Sequence, residues 1–249
     1  VWAPNSKYSK QLGLQDSFEE GLRYMEGCIG EEGEWSSRAR KIAYIENINE
    51  AMEELEAEGV GWVPAKYYPD YYPEMDGGKA GGRSTDASFF ELKKLGNWAN
   101  KLHDMGIETP FPIHSGEVGH LPKMLRRSSD FMEVTKIFMR AVPWMVTGKK
   151  YLSNGQTLIA HLMYTALKYN VDVWLDSPFK SFIVDDNRII GVRCEKDYHE
   201  HEIYADSIIV ASGGFSHNEA MRRQHHHIGT EWSSANPQNT GDVILQGMQ

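Results

Sequence analysis

A mixed α/β fold is predicted by this sequence on three observations. Apolar residues recur every three or four positions up to about Asn170, the period shortens to two after Val171, and turn chemistry marks the changes between segments. The helical part begins after Asp16, where Ser17-Phe18-Glu19-Glu20 has the pattern of a capping box. Ile42, Ile45, Ile48, Met52 and Leu55 then form one apolar stripe that stops at Gly59, so residues 17 to 58 are predicted to be mainly helical. Phe89, Leu92, Leu95, Trp98 and Leu102 suggest another helix over 86 to 103. Leu158, Ile159, Leu162, Met163 and Ala166 suggest one more after Gly155. Residues 104 to 130, with prolines, glycines and two histidines but no clear period, read as a loop.

From 172 to 212 the segments VDVWLD, FKSFIVDDNRIIGVRCE and HEIYADSIIVASGG are short, alternating and β-branched, with Asp185-Asp186-Asn187 as a turn. Ile208 to Ala211 is apolar on both faces. It is predicted to be a sheet strand, with Ser212-Gly213-Gly214 at its carboxyl edge, where bare backbone can approach a ligand. The division expected is therefore 1–170, mainly helical, and 171–249, β-rich.

Composition excludes several classes of function. The chain has 249 residues, of which 41% are hydrophobic, enough for a core, but it contains no run of the roughly 20 apolar residues a membrane helix needs. A net charge of -9 without a basic stripe argues against nucleic acid as a partner. Cys28 and Cys194 are too few for a disulfide framework and favour a reducing, cytoplasmic compartment. No metal site is expected: the side chains of adjacent His225, His226 and His227 diverge, and a solvated hairpin edge accounts for His199 and His201. Nothing in the sequence sets an oligomeric state.

The stretch YYPDYYPEMDGGKAGGR, Tyr67 to Arg83, places four of the 12 tyrosines in six positions. Two readings stand side by side. The ring-rich segment covers the edge of a core, or it walls a flat apolar pocket with phenol donors at its rim, suited to a hydrophobic ligand with one or two oxygens. Ser212-Gly213-Gly214 and Asn239-Thr240-Gly241-Asp242 are likewise either tight turns and caps or backbone approaches to a nucleotide. No G-x-G-x-x-G fingerprint or G-x-S-x-G elbow occurs in the chain.

Together these pieces resemble FAD-dependent 3-ketosteroid Δ1-dehydrogenases, within the wider fumarate reductase-like flavoproteins. The likeness runs in order through Trp2-Ala3-Pro4-Asn5, Asp16-Ser17, Tyr24, Ala43-Tyr44, Pro69-Asp70-Tyr71-Tyr72, Gly82-Arg83, Gly155 and Leu158-Ile159. It continues through Asp185 to Val192, Ala211 to Phe215, Asn218, Met221-Arg222, Thr230-Glu231-Trp232 and Asn239 to Asp242, and is weakest over 104 to 150. Where the family has Thr-Gly-Asp-Gly, this chain reads Thr240-Gly241-Asp242-Val243.

The resemblance implies part of a Rossmann-like FAD-binding domain with a large helical insertion and a short β-meander. It implies that the cofactor is FAD, contacted by Phe179, Ala211, Ser212, Gly213, Gly214, Thr240, Gly241 and Asp242. It also implies that Tyr71 and Tyr72 face a steroid. In the implied reaction a ring of a 3-ketosteroid loses a hydride to the flavin and a proton to a tyrosinate base. Tyr71 is the phenol whose hydrogen bond stabilises that anion, because a free phenol, with a pKa near 10, is a poor base at neutral pH. By the same resemblance the pyrophosphate-binding fingerprint would precede Val1, and the base and substrate cap would follow Gln249. Two alternatives remain: a fumarate reductase-like flavoenzyme acting on a small dicarboxylate, which needs convergent cations, or a non-catalytic module that binds an apolar ligand.

Overall fold

Serine side chains open the first two helices. Ser6 accepts the Ser9 amide and starts α1, Lys7–Gln11, and Ser17 accepts the Glu20 amide at 3.1 Å and starts α2, Phe18–Ile29. The computed structural model describes residues 1–31, 33–103 and 111–248, which fall into two compact units, Val1–Val171 and Asp172–Gln249. The predicted mixture of helix and strand is present.

In the first unit the apolar stripe forms α3, Arg38–Ala57. Ile45 and Met52 are buried, and the chain turns away at Gly59, whose φ of +98° suits glycine. Strand β1, Trp62–Pro64, pairs antiparallel with β2, Thr85–Ala87, so residues 65–84 form a long excursion between two short strands. Ala3, Tyr8, Met52, Val60, Trp62 and Ala87 make one core cluster, with the Trp62 indole donating to the Met52 carbonyl at 2.9 Å. A second cluster, Phe90, Leu95, Leu152 and Ala160, joins β3, Phe90–Glu91, and β4, Tyr151–Leu152, to α6, Asn154–Lys168. Between them lie the short α4, Ser115–Val118, and the long α5, Ser128–Thr147.

The helix expected over 86 to 103 is present in its second half, wound tighter than an α-helix. After the two short strands comes a 3-10 helix, Leu92–Lys101, broken at Gly96 (φ +55°). The spacing explains this: Leu92, Leu95 and Trp98 recur every three residues, which is the 3-10 repeat. The loop expected over 104 to 130 holds α4 and the start of α5, while 104–110 lie outside the described residues.

The second unit is built on an antiparallel meander of β5, Phe179–Asp185, β6, Arg188–Lys196, and β7, His199–Tyr204. Both of its hairpins turn in two residues, Asp186-Asn187 and Asp197-Tyr198, and all four of these have positive φ, the backbone that lets twisted strands meet in a tight turn. The helices α7, Glu219–His226, and α8, Asp242–Gly247, follow, and α8 packs on β5. The strands predicted at 171–176 and at Ile208 to Ala211 are absent: both segments lack a ladder partner among the described residues, and Ile209 is 92% exposed. β-branched composition marks a segment that fits a sheet, but a strand exists only where a neighbour completes its hydrogen bonds.

Truncation of the α3 core contact should be costly. Met52→Ala is expected to lower unfolding stability by about 2–5 kcal/mol, which urea midpoints of parent and variant would measure.

Candidate functional site

The excursion between β1 and β2 is organised by one buried cation. The Arg83 guanidinium is fully buried and lies between two carboxylates that are themselves 1% exposed. It grips Asp16 with two bonds, Nε to Oδ2 at 2.9 Å and Nη2 to Oδ1 at 2.6 Å, and reaches Asp70 Oδ2 from Nη1 at 2.9 Å. Neutral donors supply the rest. The Asn5 and Ser17 amides donate to Asp16, and the Trp2 indole (2.7 Å) and Lys79 amide (2.9 Å) donate to Asp70. Burial raises the Asp16 carboxyl, but the bonds from Arg83 and the Asn5 amide outweigh it and hold the group below the ordinary carboxylate value.

This anchor shapes the tyrosine loop. The Asp70 amide donates to the Lys79 carbonyl at 3.0 Å, so residues 70 and 79 are tied twice, and the Tyr72 amide donates to the Tyr24 hydroxyl at 3.1 Å. Gly77 has φ +77°, and a Cβ there would lie 2.2 Å from the Glu20 carbonyl oxygen, so only glycine lets the loop lie this close to α2. A cavity of about 290 Å³ opens on one side of the loop, walled by Trp2, Tyr24, Met25, Ile29, Tyr44 and the segment Tyr68 to Tyr72. Tyr71 is 87% exposed and Tyr72 56%. Burial raises the phenol pKa of Tyr68, and the neighbouring Tyr71 phenol raises it further. Tyr67 turns elsewhere, its ring edge-to-face with that of His120 at 5.3 Å between centres, and His120 Nδ1 is 2.6 Å from Asp130. A separate polar cluster pairs Arg140 with Glu117 at 2.8 and 2.9 Å, beside His114 stacked on Phe89.

Trp2, Asp16, Tyr24, Asp70 and Arg83 thus have structural tasks that sequence reasoning did not assign. An aspartate before the paired tyrosines and an arginine after paired glycines were visible, but their pairing across the chain was not.

In the second unit Gly213 has φ +77°, and a Cβ on it would meet Asn239 Oδ1 at 2.6 Å; one on Gly241 would meet Phe215 at 2.8 Å. The side chain of Asn239 is therefore packed on the bare backbone of Gly213, and those of Phe215 and Met221 on Gly241. The loops Ala211-Ser212-Gly213-Gly214 and Asn239-Thr240-Gly241-Asp242 are joined by His217 N–H to the Asn239 carbonyl and Asn218 Nδ2 to the Thr240 carbonyl, each at 2.9 Å. Thr240 donates to Asp242 at 3.0 Å, and Asp242 starts α8, which packs on β5, the strand opened by Phe179. Val243 lies in the first turn of α8, where no glycine is needed. Tyr71 and Tyr72 belong to the first unit and the other candidates to the second. Among the described residues no group of three or more histidines, cysteines or carboxylates is placed to hold a metal ion, and no helix is long and apolar enough to cross a membrane.

A family model described as FAD binding domain matches residues 1–248. A 3-oxosteroid 1-dehydrogenase of Mycobacterium tuberculosis is 31% identical over 98% of this chain and 45% of its own length. One from Comamonas testosteroni is 27% identical over 95% of this chain and 43% of its own. The crystal structure of 3-ketosteroid delta1-dehydrogenase from Sterolibacterium denitrificans, in complex with 1,4-androstadiene-3,17-dione, superposes with a TM-score of 0.81 at 27% identity, covering all of this chain and 46% of that one. The chain thus spans about half the length of the relatives it matches.

The depressed carboxyl of Asp16 predicts how stability depends on pH. A group whose folded pKa lies below its unfolded value of about 3.9 stabilises the fold above that pH and loses its contribution as pH falls through the folded value. Asp16→Asn should therefore cost roughly 3 kcal/mol at pH 7, the scale of breaking a buried pair. The deficit relative to the parent should shrink below about pH 4, as read from urea midpoints at pH 7, 5 and 3.

Proposed function

The chain belongs to the FAD binding domain family, and from that premise we propose that the protein is an FAD-dependent oxidoreductase that dehydrogenates the ring of a 3-ketosteroid. The observation that carries the reading is the cavity beside the tyrosine loop. Its walls are mainly aromatic and aliphatic, joined by Cys28, Asp70 and Ser84, and no lysine, arginine or histidine is among the described residues lining it. Such a pocket suits a fused-ring apolar substrate. A small dicarboxylate needs free convergent cations, and Arg83, the arginine of this loop, is already committed to Asp16 and Asp70.

The second unit fits the cofactor on an independent observation. Two glycine loops lie side by side, Gly213 covered by the Asn239 side chain and Gly241 by Phe215 and Met221, while a Cβ on Gly214 would meet nothing within 4 Å. That leaves bare backbone of the kind flavins and nucleotides approach closely. Ser212, Gly213 and Gly214, with Ala211 before them, line one side; Thr240, Gly241 and Asp242 hold the other; Phe179 offers a ring on the adjacent strand. FAD, when bound, supplies the acceptor for the hydride removed from the steroid.

The chain's own residues contribute position and electrostatics. Trp2, Tyr24, Tyr44 and Tyr68 wall the substrate and exclude water, which strengthens the polar contacts inside. Tyr72 borders the same cavity. Tyr71 presents its hydroxyl as a donor to the anionic base that takes the substrate proton. A hydrogen bond to the charged form lowers the base's pKa toward neutrality, so the base is ionised when substrate arrives. The similarity to 3-oxosteroid 1-dehydrogenases supports the same reading.

Two results test it in the full-length protein. Tyr71→Phe should slow flavin reduction by a 3-ketosteroid about 10²-fold in anaerobic single-turnover mixing, with little change in steroid affinity; reduction at the parent rate would remove Tyr71 from the reaction. Asp242→Ala should lower the flavin content of the purified protein, and unchanged content would detach that loop from the cofactor.

A further inference from the structure

We propose that Asp70 is the positioning residue for Tyr71: its carboxylate, locked to Arg83, Trp2 and the Lys79 amide, fixes the direction in which the adjoining phenol is presented. The proposal deepens the function proposed above and rests on Tyr71 acting there.

Tyr71 is 87% exposed, so packing holds little of its ring, and beside the contact of its phenol with that of Tyr68 its direction is set by the backbone on either side. That backbone is tied at both neighbours. Asp70, 4% exposed, receives three bonds at its carboxylate and returns its own amide to the Lys79 carbonyl. Tyr72 gives its amide to the Tyr24 hydroxyl, and Tyr24 is itself buried in the cavity wall. Pro69 and Pro73 fix φ just outside these ties. Tyr71 is therefore the outward vertex of a short arch with both feet anchored.

Charge neutrality does not explain the second aspartate. Asp16 alone neutralises the guanidinium and accepts two of its five N–H donors; Asp70 accepts one more, on Nη1, which a neutral carbonyl could equally satisfy, and it leaves a buried cluster of one cation and two carboxylates that charge balance does not call for. A geometric role does account for it. Arg83 Nη1 reaches from the Asp16 pair to the residue immediately before Tyr71, and the Trp2 indole that also holds Asp70 forms part of the cavity wall. The same contacts thus set the wall and the phenol relative to each other.

The test is a double-mutant cycle in the flavin-loaded full-length protein, joined to hydrogen exchange on the flavin-free form. Asp70→Asn keeps the side-chain shape and removes the charge. It should slow single-turnover flavin reduction roughly 10- to 10²-fold, with KM changed less than about twofold, the signature of misplacement rather than weaker binding. In a Tyr71→Phe background the same change should cost under about twofold more, because it acts through the phenol. The Tyr72 and Lys79 amides should exchange faster in Asp70→Asn without any flavin present. Glu117→Gln, which breaks the Arg140 pair away from the loop, should lower the melting temperature and leave kcat as it was. If Asp70→Asn does not fold, Asp70→Glu keeps the charge but displaces the three bonds, and should give the same pattern in smaller degree. A parent-like rate for Asp70→Asn beside a slow Tyr71→Phe overturns the positioning role and leaves the function standing. Equal slowing in both backgrounds also overturns it. A parent-like rate for Tyr71→Phe overturns both readings, and is told apart because it fails at the phenol itself.

Discussion

Arg83 held between Asp16 and Asp70 is the constraint on which the first unit depends. Four stretches of chain meet there: the N-terminal residues through Trp2, Ala3 and Asn5, the start of α2 through Asp16 and Ser17, the tyrosine loop through Asp70 and Lys79, and the approach to β2 through Arg83 itself. An ion cluster removed from water loses hydration that Coulomb attraction barely offsets, so its main effect is to specify one arrangement. Any rearrangement of these four stretches would strand a charge in the interior. The rings of Trp2 and Tyr24 add faces to the guanidinium at 5.5 and 5.7 Å, joining the ionic cluster to the apolar cavity.

Local features of the fold were readable where they depend on neighbours in sequence. The Ser17 cap, the α3 stripe ending at Gly59, and the Asp186-Asn187 turn each rest on interactions within a few residues, and each is present, although the capping box is half formed: the Ser17 amide donates to Asp16 and Glu20 accepts from Lys79 instead. Reading failed where partners are distant. Ile208 to Ala211 has strand composition but no ladder partner among the described residues. α5 went unseen as a separate element because its exposed face carries Phe131, Met132, Phe138 and Met139, which blurs the contrast between a polar and an apolar side.

The candidate site was legible in a similar, partial way. The density of phenols at 67 to 72 and the paired glycines at 213–214 drew attention from composition alone, and the ordered resemblance supplied roles for Tyr71 and Asp242. What no local pattern could disclose is that Asp16, Asp70 and Arg83 form one cluster, or that Asn239 fills the space a side chain at Gly213 would need. These are facts of long-range packing, and they decide which of several plausible turns is a rigid one.

The separations within the ionic cluster bear on how the loop comes to order. Asp16 bonds Arg83 across 67 positions of chain, and Trp2 bonds Asp70 across 68. Contacts of such high contact order form only after most of the entropy of closing the intervening chain has been lost, so they belong to the later part of folding. The tyrosine arch cannot form as a local hairpin ahead of the rest. Its order rises and falls with the whole first unit, and cooperative unfolding rather than independent fraying sets how long its geometry persists.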